Sequence, residues 1–222
     1  TLTAGEIALL VGGELHCDKD LLVSKAPVFD SRKAVPGCIF LALQGEVVDG
    51  HDFAADAYRA GAMFSLTTKR IDGPCIVVKD VIDALSILAT FVRKRLTNLT
   101  VIGITGSQGK TSTKDLMSHM LAAVGPTVSP AGSFNNDLGL PITLLECDEK
   151  TKFCILEMGA RHSGDIARLC SIAAPNIGVV LTVGTAHLGE FGSVQAIAET
   201  KSELIQSLSE NGIAILGNYD LY

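Results

Sequence analysis

Short apolar runs separated by turn residues fill the first part of the chain. The runs CIFLAL (38–43) and PCIVVKD (74–80) are bounded by such residues and are long enough for strands. Residues 51–62 and 83–96 show the pattern of helices, the second with basic residues in its last turn, where the helix dipole favours them. The polar stretch RKRLTNLT follows, and we therefore predict a first domain at about residues 1–97.

The chain opens with the signature of a capped helix. Thr3 and Glu6 have the spacing of a capping box, in which each side chain accepts a hydrogen bond from the backbone N–H of the other residue. Gly12 and Gly13 follow as a stop signal for this helix.

From residue 98 onward, longer strands alternate with helices. Strands are predicted at 99–105, 152–157, 176–182 and 212–216, and helices at 163–173, at 193–209 and directly after the first strand. Strands that alternate with crossover helices imply a mainly parallel sheet covered on both faces, so the predicted fold class is α/β. The sequence stops just after the fourth strand, and we expect this second domain (98–222) to be incomplete.

Apolar stripes on two of these helices carry further information. The helix after the first strand is predicted to show one apolar face, formed by Leu116, Met117, Met120, Leu121 and Val124. In the helix at 193–209, the stripe consists of Val194, Ile197, Ala198, Leu204, Ile205 and Leu208, and its spacing puts Lys201 in the middle.

A lysine in the middle of an apolar stripe has two interpretations. In the first, Lys201 snorkels, so that its stem packs against the core while its ammonium group reaches water. In the second, the amine is buried. Because burial disfavours the ammonium form, such an amine becomes partly neutral and is able to take up carbon dioxide.

Composition and charge exclude several classes of function. The 222 residues carry a net charge of −6, which argues against a nucleic-acid partner because phosphate binding by charge needs a surplus of Lys and Arg. No apolar run approaches the ~18 residues of a membrane span, and we expect no secretory segment. The six cysteines contain no C-x-x-C pair and are typical of reduced thiols, so we predict a cytoplasmic protein.

The stretch VIGITGSQGKTSTKD (101–115) predicts a phosphate-binding loop despite an unusual spacing. The standard G-x-x-x-x-G-K-[ST] pattern needs a glycine two positions before Gly106, where this chain has isoleucine. A buried strand nevertheless leads into Gly106 and Gly109, which let the backbone approach an anion, and a helix starts behind them. Lys110 is then placed to reach terminal phosphates, and the Thr111 hydroxyl to take a Mg²⁺ position. The alternative is a glycine-rich turn with a solvated lysine.

Two further residues follow predicted strands. Glu157 ends the strand at 152–157, at the carboxyl edge where open α/β sheets bind ligands, and a carboxylate there is suited to holding Mg²⁺. The alternative is a surface glutamate at a strand end. His187 follows the next strand by a few residues and should emerge at the same edge, although a lone histidine is more often a satisfied polar residue than a metal ligand.

Four further stretches of the sequence, taken together with this loop, resemble the motifs of a known family. They are FDSRKAVPGCIFLALQGEVVDGHDF (29–53), FNNDLGLP (134–141), EMGARHSGDIARL (157–169) and GTAHLGEFGSVQAIAETKSEL (184–204). With the short loop G-x-x-G-K-[ST], they resemble the Mur ligase family, the ATP-dependent amide-forming enzymes that build the peptide stem of the bacterial cell wall. The match covers nearly the whole chain.

The resemblance implies a domain plan and a set of site residues. Residues 1–97 would form a uridine-nucleotide domain and residues 98–222 the front part of a P-loop-type ATP-binding domain, while nothing here resembles the family's C-terminal domain. The implied ATP-binding residues are Gly106, Ser107, Gln108, Gly109, Lys110, Thr111 and Ser112. The implied residues for the UDP-linked substrate are Ser31, Arg32, Gln44 and Gly45, with Asn135, Asn136 and Arg161 at its muramoyl-peptide end.

The resemblance also implies two Mg²⁺ ions and a modified lysine. Thr111 and Glu157 would hold magnesium, and His187 would help to hold the second ion. Lys201 would bind carbon dioxide as a carbamate that coordinates or orients that second ion. Lys110, His187 and Lys201 are therefore the predicted catalytic residues.

The implied reaction is a two-step amide ligation. ATP would phosphorylate the terminal carboxylate of UDP-MurNAc-tripeptide, and the amine of D-alanyl-D-alanine would then displace phosphate. The segment EMGAR favours this reaction over that of the sister ligase that adds a diamino acid. A nucleotide-dependent switch that makes no bond is a third possibility, which His187 and Lys201 disfavour.

One departure from the family affects the wall of this site. The family commonly has Asn-Ile-Gly before its Ala-His pair, whereas this chain has Thr182-Val183-Gly184, which removes an amide from the site's surroundings. We also expect a monomer, and we expect that these 222 residues alone do not catalyse ligation.

Overall fold

A computed structural model describes residues 1–184 and 188–217 of the chain. These residues divide into two units, Thr1–Leu88 and the part from Ala89 onward. The division lies inside a helix at Val81–Arg95, and the domain boundary near residue 97 stays a prediction. Within the described part of the chain, no helix combines the length and the apolar character needed to cross a membrane.

A four-stranded sheet forms the basis of the first unit. Its strands are, in spatial order, β2 (Glu14–His16), β6 (Cys75–Val77), β5 (Phe64–Thr67) and β4 (Ile39–Leu41). Strands β4, β5 and β6 are parallel, and β2 pairs antiparallel with β6. A separate antiparallel pair joins β1 (Leu2–Thr3) to β3 (Leu22–Val23). The unit also contains helices α1 (Ala4–Val11) and α2 (Ala54–Ala60) and two 3₁₀ helices, Ser31–Lys33 and Gly50–Phe53.

The capping box predicted for the first helix is confirmed. The backbone N–H of Thr3 donates to Glu6 Oε2 at 2.8 Å, and the backbone N–H of Glu6 donates to Thr3 Oγ1 at 3.2 Å. Gly12 ends α1 in the left-handed conformation, with φ of +63°, which glycine adopts without a steric penalty.

Strand β5 was not predicted, because its sequence FSLT is not a continuous apolar run. Ser65 and Thr67 are nevertheless fully buried. Ser65 Oγ donates to Tyr58 Oη at 2.8 Å, which satisfies its hydroxyl inside the unit. The hydropathy pattern therefore does not predict β5, because buried, hydrogen-bonded polar residues interrupt its apolar run.

The second unit contains a five-stranded parallel sheet. In spatial order the strands are β11 (Ile213–Leu216), β10 (Ile177–Val180), β7 (Thr100–Thr105), β9 (Phe153–Glu157) and β8 (Thr127–Val128). The helices are α3 (Val81–Arg95, which spans the division), α4 (Lys110–Ala122), α5 (Gly139–Leu145), α6 (Asp165–Ala173), α7 (Leu188–Phe191) and α8 (Val194–Gln206). The predicted parallel α/β architecture is confirmed.

Apolar side chains cover both faces of this sheet. On one face, Ile102, Ile104, Ile155 and Val179 pack with Met117 and Leu121 of α4. On the other, Val101, Cys154 and Leu156 belong to a larger cluster with residues of α3, α5, α6 and α8, such as Leu140, Leu169 and Leu204. Burial on both faces explains why β7, β9 and β10 are nearly continuous apolar runs, whereas the residues of the edge strand β11 are exposed.

The predicted apolar face of α4 is only partly correct. Met117 and Leu121 pack against the sheet, but Leu116, Met120 and Val124 are each 64% exposed. Residues 116 and 117 lie about 100° apart around a helix, so a stripe that includes both is too wide for one contact face. The inward-facing row is instead completed by Lys114, which is 2% exposed.

The order of the strands decides which residues share one edge of the sheet. Ile104 of β7 is in register with Glu157 of β9, and Thr105 is in register with Val180 of β10. The segments that follow these three parallel strands therefore leave the sheet side by side at its carboxyl edge, where ligands bind in open α/β sheets.

Candidate functional site

The segment between β7 and α4 forms a tight loop at this edge. Gly109 has φ of +83°, a conformation that side chains with a Cβ rarely adopt. A Cβ on Gly106 would lie 3.0 Å from the Cβ of Leu181, so this position tolerates only glycine without rearrangement. Helix α4 starts at Lys110 without a side-chain cap, which leaves backbone N–H groups of its first turn available to an anion.

A cavity of about 320 Å³ opens in front of this loop. Its walls are formed by Ser107, Gln108, Gly109, Lys110, Thr111, Ser112, Ser133, Asn135 and Glu157. Six of the seven residues predicted for the nucleotide site line it, and Gly106 accepts a hydrogen bond from Lys110 Nζ at 2.8 Å through its carbonyl. Burial lowers the pKa of Lys110, an effect that the charge of Glu157 partly offsets.

Glu157 presents a buried carboxylate to this cavity. The residue has no exposed surface, and its Oε2 accepts a hydrogen bond from Thr111 Oγ1 at 3.3 Å. Its Oε1 is buried and has no hydrogen-bond partner among the described residues. Burial raises the pKa of Glu157, and the Thr111 hydroxyl and the charges of Lys114 and Lys110 act in the opposite direction. An unpaired buried oxygen is costly, so this atom suits a cation that completes its coordination.

The donor set at Glu157 and Thr111 fits magnesium. Mg²⁺ is usually held by one or two carboxylates together with hydroxyl groups, water and substrate phosphates. No group of three or more His, Cys, Asp or Glu side chains gathers at one point within the ranges 1–184 and 188–217.

Ser133 lines the site and Lys114 supports it, although the sequence patterns do not single out either residue. Ser133 Oγ lies 3.0 Å from Thr111 Oγ1. Lys114 Nζ donates to the carbonyls of Pro130 at 2.7 Å and Gly132 at 3.2 Å, and it forms an ion pair with Asp115 at 2.8 Å. The buried lysine thereby holds the segment that brings Ser133 to the cavity. The position of Lys114 three residues before Met117, on the inward side of α4, is the sequence signal that could have revealed it.

Lys201 lies on the buried side of α8, in the middle of the predicted apolar stripe. It is 7% exposed and lies on α8 beside the buried residues Ile197 and Leu204. It forms no hydrogen bond or ion pair with any residue that the structure describes. Burial, and secondarily the nearby charge of Lys110, lowers the pKa of Lys201 from 10.5 to about 8.

Sequence profiles of known families match this chain in two places. A profile described as Mur ligase middle domain matches residues 104–222, and one described as Mur ligase family, catalytic domain, matches residues 28–93. The chain belongs to the Mur ligase family. The resemblance inferred from five sequence segments is thereby confirmed.

Individual relatives agree with this membership. The UDP-N-acetylmuramoyl-tripeptide–D-alanyl-D-alanine ligase of Mycobacterium tuberculosis is 47% identical, over 99% of this chain and 48% of that protein. A crystal structure of MurF from Acinetobacter baumannii superposes with a TM-score of 0.86 at 36% identity, covering 99% of this chain and 49% of that one. The crystal structure of MurF from Thermotoga maritima in complex with ADP superposes with a TM-score of 0.77 at 38% identity, covering 89% of this chain and 46% of that one. The chain thus spans about half the length of the relatives it matches.

The segment after β10 contacts the glycine loop at 106–109 through its backbone. The N–H of Ser107 donates to the Thr182 carbonyl at 2.9 Å, and the N–H of Gly184 donates to Ser107 Oγ at 2.9 Å. The backbone of Thr182 therefore supplies a contact to the loop, whichever side chain stands there. His187, a predicted catalytic residue and metal ligand, lies outside the described residues.

The three residues predicted for the muramoyl-peptide end lie in different environments. Asn135 lines the cavity, and its carbonyl accepts a hydrogen bond from the N–H of Gly159 at 2.9 Å. Asn136 Oδ1 instead accepts from the N–H groups of Leu138 and Gly139, at 3.3 and 3.0 Å, and so caps the start of α5. Arg161 is exposed and is not part of the cavity wall.

The residues predicted for the uridine nucleotide lie in the first unit. Ser31 opens a 3₁₀ helix, and the guanidinium of Arg32 donates to both oxygens of Asp30, at 2.9 and 2.8 Å. The hydrogen bonds from Arg32 lower the pKa of Asp30 to about 2. Gln44 forms an isolated bridge with Asp49, and the N–H of Gly45 donates to the Val48 carbonyl at 3.0 Å, so these residues form a closed turn. Their role in substrate binding stays a prediction.

Replacement of Lys201 by methionine tests the burial of its amine through the pH dependence of stability. Below pH 8 the native protein must hold a charged amine in the core. As the pH rises from about 8 to 10.5, the native state has released this proton while the unfolded chain still binds it, so the cost falls. We expect the free energy of unfolding of the wild type to rise by about 3 kcal/mol relative to Lys201→Met across this window.

Urea denaturation followed by circular dichroism, in buffers free of carbon dioxide, measures this difference. Lys150→Met removes an exposed lysine of the same unit and should run parallel to the wild type. Parallel curves for Lys201→Met and wild type at every pH would show that the Lys201 amine reaches water.

Proposed function

We propose that this member of the Mur ligase family is an ATP-dependent ligase that joins D-alanyl-D-alanine to UDP-MurNAc-tripeptide in peptidoglycan precursor synthesis. The observation that carries the proposal is the buried, half-unpaired carboxylate of Glu157 beside a glycine loop, since this arrangement suits a metal–nucleotide complex. The names of the similar proteins support the choice of substrates, because relatives named for this reaction share 47% of their aligned residues with the chain.

The proposed chemistry consists of two displacement steps. The terminal carboxylate of the tripeptide attacks the γ-phosphoryl group of ATP, which gives an acyl phosphate and ADP. The amine of D-alanyl-D-alanine then attacks the acyl carbon and expels inorganic phosphate, with loss of a proton from the new amide nitrogen. Both steps depend mainly on the positioning of the reactants and on the neutralisation of charge.

Residues around the cavity have distinct proposed roles in these steps. The loop 106–109 and the first turn of α4 bind phosphate oxygens through backbone N–H groups. Lys110 exchanges its bond to the Gly106 carbonyl for a terminal phosphate oxygen. Thr111 and Glu157 hold Mg²⁺, which when bound offsets charge on the transferred phosphoryl group.

We also propose that Lys201 reacts with carbon dioxide to form a carbamate that serves a second Mg²⁺ together with His187. The burial of the Lys201 side chain and its pKa of about 8 support this proposal, because the neutral amine is the form that adds carbon dioxide. Isotopically labelled bicarbonate should give a carbamate resonance in the complete, ligand-bound protein that disappears in Lys201→Met. An unmodified Lys201 in that complex would contradict the proposal.

Release of ADP by the complete gene product tests the proposed reaction. The assay contains ATP, Mg²⁺ and either UDP-MurNAc-tripeptide with D-alanyl-D-alanine or the dipeptide nucleotide with a diamino acid. We expect release that depends on D-alanyl-D-alanine, and a fall in kcat of roughly 10²–10³-fold in Lys110→Met and Glu157→Gln because each loses charge stabilisation. The exposed residues Lys150 and Glu149 provide matched controls, Lys150→Met and Glu149→Gln, which should keep wild-type rates.

The alternatives give different results in the same assay. Release only with the diamino acid would assign the sister reaction. If ADP is released with neither amine, the remaining interpretation is a nucleotide-dependent switch. The cytoplasmic location and the monomeric state stay predictions from the sequence.

A further inference from the structure

Helix α6 obtains its N-terminal cap from another helix. Its own N-cap residue, Gly164, has φ of +91° and no side chain to offer. Glu203 of α8 takes this place. Its Oε1 accepts from the N–H of Gly164 at 2.7 Å and from Ser163 Oγ at 3.3 Å, and its Oε2 accepts from the N–H of Ala167 at 3.0 Å. Both oxygens of one carboxylate are thus used to join two helices.

The segment that leads into α6 is held from two sides. Asp165 Oδ2 accepts from the N–H groups of Arg161 and His162, both at 2.9 Å, and Glu203 holds the residues directly after them. The same segment begins at the carboxyl end of β9, where the N–H of Met158 donates to the Ile104 carbonyl at 2.8 Å. Glu203 therefore connects α8 to the loop that emerges from Glu157.

Lys201 depends on α8 for its position. Lys201 is a buried residue of this helix, so its backbone and Cβ move with α8. Helix α8 packs on α6, on β10 and on β7, with Leu204 fully buried in the contact. Within these contacts, the three bonds of Glu203 are directional, whereas apolar packing is not.

We propose that Glu203 is a positioning residue for the ligation reaction: it fixes the distance between Lys201 on α8 and the Glu157 end of β9 by anchoring α8 to the N-terminus of α6. This inference rests on the proposed function for its catalytic consequence. Glu203 touches neither the cavity nor the glycine loop at 106–109, so it acts through the residues that it holds in place.

Kinetics of the complete gene product give the first test. Glu203→Ala should lower kcat by about ten- to hundred-fold, because a small displacement of a catalytic group is enough for such a loss. The KM for ATP should stay within about twofold, since the loop that binds it is untouched. Glu203→Gln, which keeps one acceptor oxygen, should recover part of the rate.

Glu199→Ala is the matched control for this substitution. Glu199 lies one turn earlier on the same helix and is exposed, and among the described residues its carboxylate accepts a hydrogen bond only from Gln195 of α8. It should keep the wild-type kcat. A Glu203→Ala enzyme with wild-type kcat, or one in which only KM for ATP rises, would overturn the inference.

Amide hydrogen exchange gives a second test that needs no turnover. In Glu203→Ala we expect faster exchange in residues 161–167 and also in residues 194–206 of α8, compared with Glu199→Ala. Faster exchange confined to 161–167 would reduce Glu203 to a simple helix cap and would overturn the inference. An inactive wild type would refute the proposed function, while the exchange result would still decide whether Glu203 anchors α8.

Discussion

The candidate site depends on one unfavourable arrangement: the Glu157 carboxylate is fully buried, while one of its oxygens has no hydrogen-bond partner in the part of the chain that the structure describes. A carboxylate in this state raises the free energy of the native protein, because removal from water is only partly compensated by the hydroxyl of Thr111. The fold nevertheless enforces it. Strand β9 lies inside a parallel sheet that is covered on both faces, so the residue at its carboxyl end is buried and faces the cavity in front of the loop. A cation at this oxygen would remove the cost, and the loop beside it is shaped to hold the phosphate groups of a nucleotide that would complete the coordination of such a cation.

Three lysines around the site show how differently one side chain is used. Lys114 is buried with its ammonium bound to two carbonyls and Asp115, so its charge is satisfied and serves to hold the Ser133 segment. Lys110 is half-buried and hydrogen-bonded to the Gly106 carbonyl, which a phosphate oxygen can replace. Lys201 is buried without a partner among the described residues, and its pKa is lowered accordingly. Lys114, whose ammonium group has all its partners within the protein, therefore has a structural role. Lys110 and Lys201 have fewer such partners and are the two lysines suited to a role in the reaction.

The sequence allowed most of the second unit to be predicted and less of the first. Strands buried on both faces are continuous apolar runs, so β7, β9 and β10 were recognisable, and the glycines and Lys110 between β7 and α4 gave the loop. Strand β5 was missed because it contains polar residues such as Ser65, which is buried with its hydroxyl hydrogen-bonded inside the unit. The width of the apolar face of α4 was overestimated. Met117 and Leu121 already fill the contact with the sheet, and further apolar residues of the helix lie on the surface, where single apolar side chains are common. Residues such as Ser133 and Glu203 come to their places through chain segments far apart in sequence, and no local pattern encodes such contacts.

Glu157 is proposed to be an open magnesium ligand of a nucleotide site. Calorimetric titration of the complete gene product with ADP, with and without Mg²⁺, tests it most directly. We predict that Mg²⁺ tightens ADP binding at least about tenfold in the wild type and that Glu157→Gln loses this enhancement while it still binds ADP without magnesium. An equal magnesium enhancement in wild type and Glu157→Gln would contradict the account.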